Sequence, residues 1–404
     1  MSRKSLAYFA PDATQGSVTK RIVSFQEHGL DVISFTFRRD RDSVLNPVCE
    51  NIDLGVVPDR RYIYRAIKTL AVLGRLWNAR DKLRTSPIYY ARMLDSALIA
   101  LLAKKFCNNN ALLYYEICDI RKIMMDRGLA GRAARLLERL VLRNCDCVVV
   151  NSPAFLTEYF APIQAYRGEA FVLENKVYAS SLQAISEARA ENLAQGRSGN
   201  DRLRVAWFGN LDCPETWATI QSTAAKYPEK ISFYLRGYPI ISEAEIRRAE
   251  SALPNIEFGG PFNNRTDLTQ MYSRVDAVLG LDLMNREGNS WWLLPNSLYE
   301  AGAYGRPLIT SEGTQTASRV ASGGTGWVLS EPVEASLAAF LDGFDWTHHA
   351  RVARRVADAP VESFAGQGQV GELVEQMFSK IDRADPDAAV VAVSSTVADP
   401  APAP

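Results

Sequence analysis

The stretch Leu293-Leu294-Pro295-Asn296-Ser297-Leu298-Tyr299-Glu300-Ala301-Gly302-Ala303-Tyr304-Gly305-Arg306-Pro307-Leu308-Ile309 decides how the chain is read. Pro295 suits the opening of a helix, because its missing N–H is one that a first turn leaves unpaired anyway. Gly305 suits the close, where a left-handed residue is needed. The apolar residues after Arg306 read as a buried strand. A helix feeding a buried strand is the crossover unit of a parallel α/β sheet. The amino end of such a helix leaves backbone amides able to hold phosphate oxygens. Glu300, one turn in, can accept hydrogen bonds from two vicinal hydroxyls, as on a ribose.

The same alternation extends in both directions. Leu203–Phe208 reads as a strand closed by Gly209-Asn210. Helix 214–226, strand Ile231–Leu235, helix 242–252, strand 255–258, helix 266–274 and strand Ala277–Leu281 lead up to the decisive stretch. Upstream, Leu6–Ala10, Asp31–Phe37, Ala111–Ile117, Cys145–Asn151 and Ala170–Leu173 read as buried strands separated by helical segments. The chain is therefore expected to be α/β, with two tandem Rossmann-like domains facing each other across a cleft. The expected division is a first domain over 1–186, a polar linker over 187–201, a second domain over 202–345, crossing helices over 346–382 and a disordered tail over 383–404. Trp346 and Phe364 are the expected anchors of the crossing segment.

Composition narrows the function. Lys+Arg and Asp+Glu are 46 each, so a uniformly basic nucleic-acid binder is excluded. The balance hides an asymmetry: residues 1–180 carry 27 basic and 18 acidic side chains, a net +9, and the remainder carries −9. The first half is thus expected to face something anionic. With only His28, His348 and His349, a zinc or Ser-His-Asp hydrolase is hard to build. The six cysteines are scattered and read as reduced thiols. Neither Gly-x-Gly-x-x-Gly after the first strand, where Gly16 stands alone, nor a phosphate-binding P-loop occurs, which weakens dinucleotide and P-loop chemistry. No apolar run reaches the roughly 20 residues of a membrane span, and no export signal is read at the start.

The decisive stretch resembles the donor-binding segment of glycosyltransferases of the GT-B fold, which read Pro-Asn-(basic or polar)-Leu-(aromatic)-Glu followed by Gly-(basic)-Pro. Val205-Ala206-Trp207-Phe208-Gly209-Asn210-Leu211 is similar to the strand and Gly-loop that begin their donor domain. The resemblance spans nearly all of the chain to about residue 382. It is nearest to exopolysaccharide-assembling transferases, the succinoglycan glucosyltransferases in particular. It implies a hexosyltransferase that moves glucose from UDP-glucose onto a polyprenyl-diphosphate-linked oligosaccharide at the cytoplasmic face of the inner membrane. Glu300 would then hold the donor ribose, with Asn296 and Ser297 near the diphosphate. Gly209 and Asn210 would bring backbone close to phosphate, and Arg236 and Arg286 would supply positive charge. No metal cofactor is expected. Many retaining members carry a second Glu eight positions before the ribose Glu. Trp292 stands there instead, which favours inversion.

Inversion requires a base on the acceptor hydroxyl. Asp119 is the first candidate and Glu116 the second, both around the end of the strand Ala111–Ile117; a helix N-cap is the alternative role for Asp119. Asp12 is the third candidate, and with Gly16 it marks the loop after the first strand, on the acceptor side. From Arg60 to Lys105 there are 11 basic and two acidic residues, with Tyr62, Ile63, Leu70, Leu73, Leu76, Trp77, Tyr89, Tyr90, Leu98 and Leu101 interleaved, and Arg121–Arg143 adds seven basic against two acidic. Such segments are expected to rest on an anionic membrane surface; core packing of the aromatics is the plain alternative. A catalytically silent scaffold of the same fold and a nucleotide-sugar epimerase are the rival readings.

Overall fold

The computed structural model describes residues 4–13, 15–38, 47–56, 72–178, 182–195, 201–284 and 288–384. Two parallel sheets form the chain. The first runs β3-β2-β1-β4-β5-β6-β7, from β1 (Lys4–Ala10), β2 (Leu30–Arg38), β3 (Glu50–Val56), β4 (Ile88–Arg92), β5 (Leu112–Ile117), β6 (Cys147–Val150) and β7 (Ala170–Val172). The second runs β10-β9-β8-β11-β12-β13, from β8 (Leu203–Leu211), β9 (Ile231–Pro239), β10 (Ile256–Phe258), β11 (Ala277–Leu279), β12 (Leu308–Ser311) and β13 (Gly326–Leu329). Both sheets thus share one order, with the switch between β1 and β4 in one and between β8 and β11 in the other. Ligands of such sheets bind outside the carboxyl ends of the strands at that switch.

The strands are near-continuous apolar runs because helices cover both faces of a parallel sheet. Alternate residues face opposite layers. Tyr8, Tyr90 and Tyr114 stack in series on one face, at ring separations of 5.5 and 6.4 Å. Phe9 stacks on Phe35 at 4.9 Å on the other. The strands β3, β4 and β13 are absent from the sequence reading. For β4 the reason is visible: Tyr89 and Tyr90, grouped there with a basic surface, are fully buried in the sheet. Leu76 and Leu101 are buried too, so these apolar side chains serve the core, and only Trp77 among the described members of that group stands well exposed. Tyr62, Ile63 and Leu70 lie outside the described residues.

The stretch expected as a linker is half helix. Leu182–Ala194 is helical. Its Arg189 donates to the carbonyls of Gly302, Ala303, Ala357 and Ala359, and Asn192 donates to Tyr304 O at 2.9 Å. The segment is held against the second domain because these donors satisfy carbonyls at helix ends there. The chain then crosses back. Phe364 presses its ring on Gly302, where any Cβ would collide with it, and Trp346 packs on Phe344 and His349. The helix Gly368–Ala384 buries Val370, Leu373, Val374 and Met377 against Tyr8, Ile22, Phe25 and Tyr114 of the first domain. Arg383 and Ala384, expected in the tail, close this helix instead; from 385 onward the expected tail lies outside the described residues.

One buried cluster ties the first domain together. Glu116 of β5 accepts from Arg21 of the helix Gly16–Glu27 at 2.9 Å and pairs with Arg92 of β4 at 3.4 Å. Burial disfavours the carboxylate, but the two guanidinium groups overcome it and hold Glu116 below the usual carboxylate range. Glu116→Ala, which strands two buried cations, is expected to cost about 3–5 kcal/mol in urea unfolding near neutral pH. Because the folded pKa is lowered, the wild type's advantage is complete above the ordinary carboxylate pKa and shrinks as pH falls through the folded value. Equal stability of the two chains at pH 7 would contradict this account.

Candidate functional site

The carboxyl ends of strands from both sheets meet across the domain boundary. Cys118, Asp119, Ile120, Arg121 and Lys122 follow β5. Asn210 and Asp212 lie at and after the end of β8, and Asp282 and Met284 lie beyond β11. With Asn289, Pro295 and Asn296 they line a cleft of about 460 Å³, within the usual range for small-molecule sites. Leu293 also lines it, Trp292 and Leu293 pack on the first-domain core, and Ser152 Oγ donates to Trp292 O.

Three expected site residues meet here: Asp119, Asn210 and Asn296. Asp119 is not a helix cap. The following helix is Lys122–Met125, with Arg121 at its N-cap position and no side-chain cap bond. Asn289 reaches across from the second domain to bond this loop, its side-chain carbonyl accepting from Ile120 N–H at 2.9 Å. The cleft walls raise the Asp119 carboxyl above the ordinary aspartate range by desolvation; Arg121 opposes this and Asp282 adds to it. Asp212 is raised likewise by burial, then by Asp282 and Asp119. A carboxyl poised upward in a cleft is suited to taking a proton.

The helix Asn296–Ala303 presents its amino end to the same cleft, with Pro295 at the N-cap position and no side-chain cap bond; Ser297 is the second residue of that helix. Gly209, at φ +119°, faces Gly237, at φ +144°, across β8 and β9. A Cβ on Gly237 would strike the Gly209 backbone. The paired glycines let two strand ends cross closely just before Asn210 turns into the cleft.

Other expected residues stand elsewhere. Glu116 is locked in its ion cluster, so it is unfit to serve as a base. Arg236 does not point a free charge at the cleft. Its guanidinium donates to Gly260 O at 3.0 Å and Pro261 O at 2.6 Å and pairs with Asp267 at 3.4 Å, which fixes the loop after β10. Glu300 is 8% exposed and does not line the cleft. Its Oε2 accepts from Tyr272 Oη at 2.9 Å, and burial raises its pKa, with Tyr272 and the charge of Lys20 opposing. Lys20, on the first-domain helix, is itself lowered to about 8, by burial first and then by Arg21. The charge of Lys20 thus reaches Glu300 across the boundary, while its Nζ donates to the carbonyls of Asn175 and Lys176. Asp12 is buried at the end of β1, and Gly16 starts the helix that carries Lys20, beside Asn264 of the second domain. Arg286 lies outside the described residues.

The sequence reading missed Asp212 and Asp282 as site residues. Their signal was their place just after β8 and β11, where ligands of such sheets bind. Among the described residues no group of three or more His, Cys, Asp and Glu is placed to hold a metal ion. Two Asp-x-Asp pairs exist in the sequence, Asp40-Arg41-Asp42 and Asp385-Pro386-Asp387, and both lie outside the described residues.

No protein-family model matches the chain. It is 28% identical over 358 residues to the succinoglycan biosynthesis protein ExoL of Rhizobium meliloti (strain 1021), covering 87% of each chain. Among solved structures it is similar to a sucrose-phosphate synthase from Thermosynechococcus elongatus, at TM-score 0.70 and 16% identity over 95% of this chain and 100% of that one. It is also similar to Anabaena HepE in complex with UDP-glucose, at TM-score 0.63 and 14% identity over 93% and 99%. The fold is GT-B, with two Rossmann-like domains. Replacing Asp282 by Asn is expected to lower the pKa of Asp119 in a carboxyl-carbon NMR titration, since a raising charge is removed; an unmoved Asp119 would reject the coupling.

Proposed function

We propose that this chain is a nucleotide-sugar-dependent hexosyltransferase of exopolysaccharide assembly, taking glucose from UDP-glucose to a lipid-linked oligosaccharide with inversion. One observation carries the reading. A raised carboxyl, Asp119, and the uncapped amino end of the helix Asn296–Ala303 face one cleft from opposite domains. Whole-chain similarity to a succinoglycan biosynthesis protein supports the pathway. Similarity to a GT-B structure holding UDP-glucose supports the donor.

In this reading the donor diphosphate lies at the amino end of that helix, where amides and the dipole favour negative charge. Asn210 and Asn296 supply hydrogen bonds beside it. Asp119 takes the proton of the acceptor hydroxyl as its oxygen attacks the anomeric carbon from the face opposite the leaving group. The C–O bond to the diphosphate breaks and UDP departs with the electron pair. Trp292, in the place where a second Glu would stand, agrees with a single displacement. Glu300 is buried behind the cleft on Tyr272, so in this reading it meets the ribose only once the donor domain opens around it. The leaving diphosphate is neutralised by amides and cations, and transfer is expected to persist in a chelator. The acceptor's lipid keeps the enzyme at the inner face of the cell membrane.

The deciding measurement is titration calorimetry with UDP and UDP-glucose. Glu300→Ala is expected to weaken binding about tenfold or more, about 1.4 kcal/mol. Donor affinity of the wild type should fall as pH drops through the raised Glu300 pKa, because the ribose hydroxyls need a carboxylate acceptor. Asp119→Asn should keep donor binding within about twofold and lose about 10²–10⁴ in transfer rate, the usual worth of a positioned base. If no uridine nucleotide binds, the catalytically silent scaffold becomes the better reading.

A further inference from the structure

The helix Leu129–Leu142 buries Val141 and Leu142 in the first-domain core but leaves most of its leucines outside. Its protein-facing side also carries a polar cluster. Glu138 is buried there, its carboxylate accepting from the hydroxyls of Tyr115 and Tyr159 and from the amide of Gln164. Arg135 donates to the carbonyls of Met124 and Asp126, and Arg139 donates to Ile163 O at 2.9 Å. Its solvent side is apolar. Leu129, Leu136, Leu137 and Leu140 are 84, 61, 47 and 43% exposed, at spacings that put them on one face. Glu138 and its donors prevent the helix from rolling over, since that would leave a carboxylate and three donors unpaired in the core.

The charges around this face choose its occupant. Arg132 on the same helix and Arg143 at its carboxyl cap flank the leucines, and Lys122 and Arg127 stand at its amino end, all exposed. A second copy would bring two positive rims together. A nucleic acid has no use for four leucines. An anionic bilayer surface satisfies both features, with leucines entering the acyl boundary and cations meeting the headgroups. The face also continues to the site: exposed Ile123 sits on the adjoining short helix, next to Lys122, which lines the cleft.

We propose that the outer face of Leu129–Leu142, with Ile123 and its basic rim, docks the protein on an anionic lipid surface beside the cleft mouth. This deepens the lipid-linked acceptor of the reading above and rests on it for purpose, though not for its physics. The helix lets the membrane deliver an acceptor sugar to Asp119 without a spanning segment; no described helix is long and apolar enough to cross a membrane.

The test is flotation of the full chain with vesicles of phosphatidylcholine, with and without phosphatidylglycerol. Binding is expected to the anionic vesicles and to fall with added salt. The double variant Leu136→Ser, Leu140→Ser should lose about tenfold or more of that partition, as should Arg132→Glu with Arg143→Glu, while both keep the wild-type affinity for UDP. Because all four side chains are exposed, retained UDP binding reports an intact fold. No partition of the wild type onto anionic vesicles, or equal partition of the variants, would overturn the proposal. So would a wild-type dimer that the leucine variant abolishes. Partition of a wild type that takes no uridine nucleotide would support the docking while overturning the donor reading.

Discussion

The three-membered ion cluster Arg21–Glu116–Arg92 is the constraint on which the first-domain half of the site depends. It joins the helix Gly16–Glu27, which follows β1, to β4 and its neighbour β5, at and beside the switch point of one sheet. Lys20 adjoins Arg21, and Asp119 follows Glu116 by three residues. Fixing the buried ion cluster therefore fixes where Lys20 and Asp119 can point. Tertiary packing must be dense for this to hold, because a buried carboxylate costs several kcal/mol when either partner moves.

The second domain solves the same problem with carbonyls. Arg189 and Arg306 are spent on helix ends. Arg306 donates to Tyr272 O at 2.8 Å and to Asn192 O at 3.2 Å, and Arg189 gathers carbonyls from both the helix Asn296–Ala303 and the crossing segment. The carboxyl end of the helix Asn296–Ala303 is thus clamped while its amino end is left open to the cleft. The crossing segment then makes the two domains answer to each other. Phe364 rests on Gly302, and a few residues later Val370 and Leu373 are buried in the first domain.

Two kinds of polar burial serve two ends here. The Glu116 cluster aims the site. The Glu138 cluster orients a helix against its own hydrophobicity, holding leucines outward where ordinary packing would draw them in. Both sit on segments that lead to or from the Asp119 loop, so the cleft mouth and the apolar face share one rigid stretch of chain.

Much of this was legible in residue order. Alternating apolar runs and helical segments are a local consequence of side-chain period, so the α/β class, the two-domain plan and the helix after Pro295 could be read directly. The motif around Glu300, the position of Asp119 at a strand end and Trp292 in place of a carboxylate are also properties of order alone. What order could not hold is whom a charge faces. Glu116, Arg236 and Glu138 look like free surface groups in a string, and Tyr89 and Tyr90 look like part of a basic surface. Only the packed chain spends those charges on partners as distant as Arg21 and Gly260, buries the tyrosines and turns four leucines outward. Hydrogen bonds and burial join residues tens to hundreds of positions apart, and no local period records such pairings. Sequence determined which elements form, while tertiary structure decided which polar groups remained free to do chemistry.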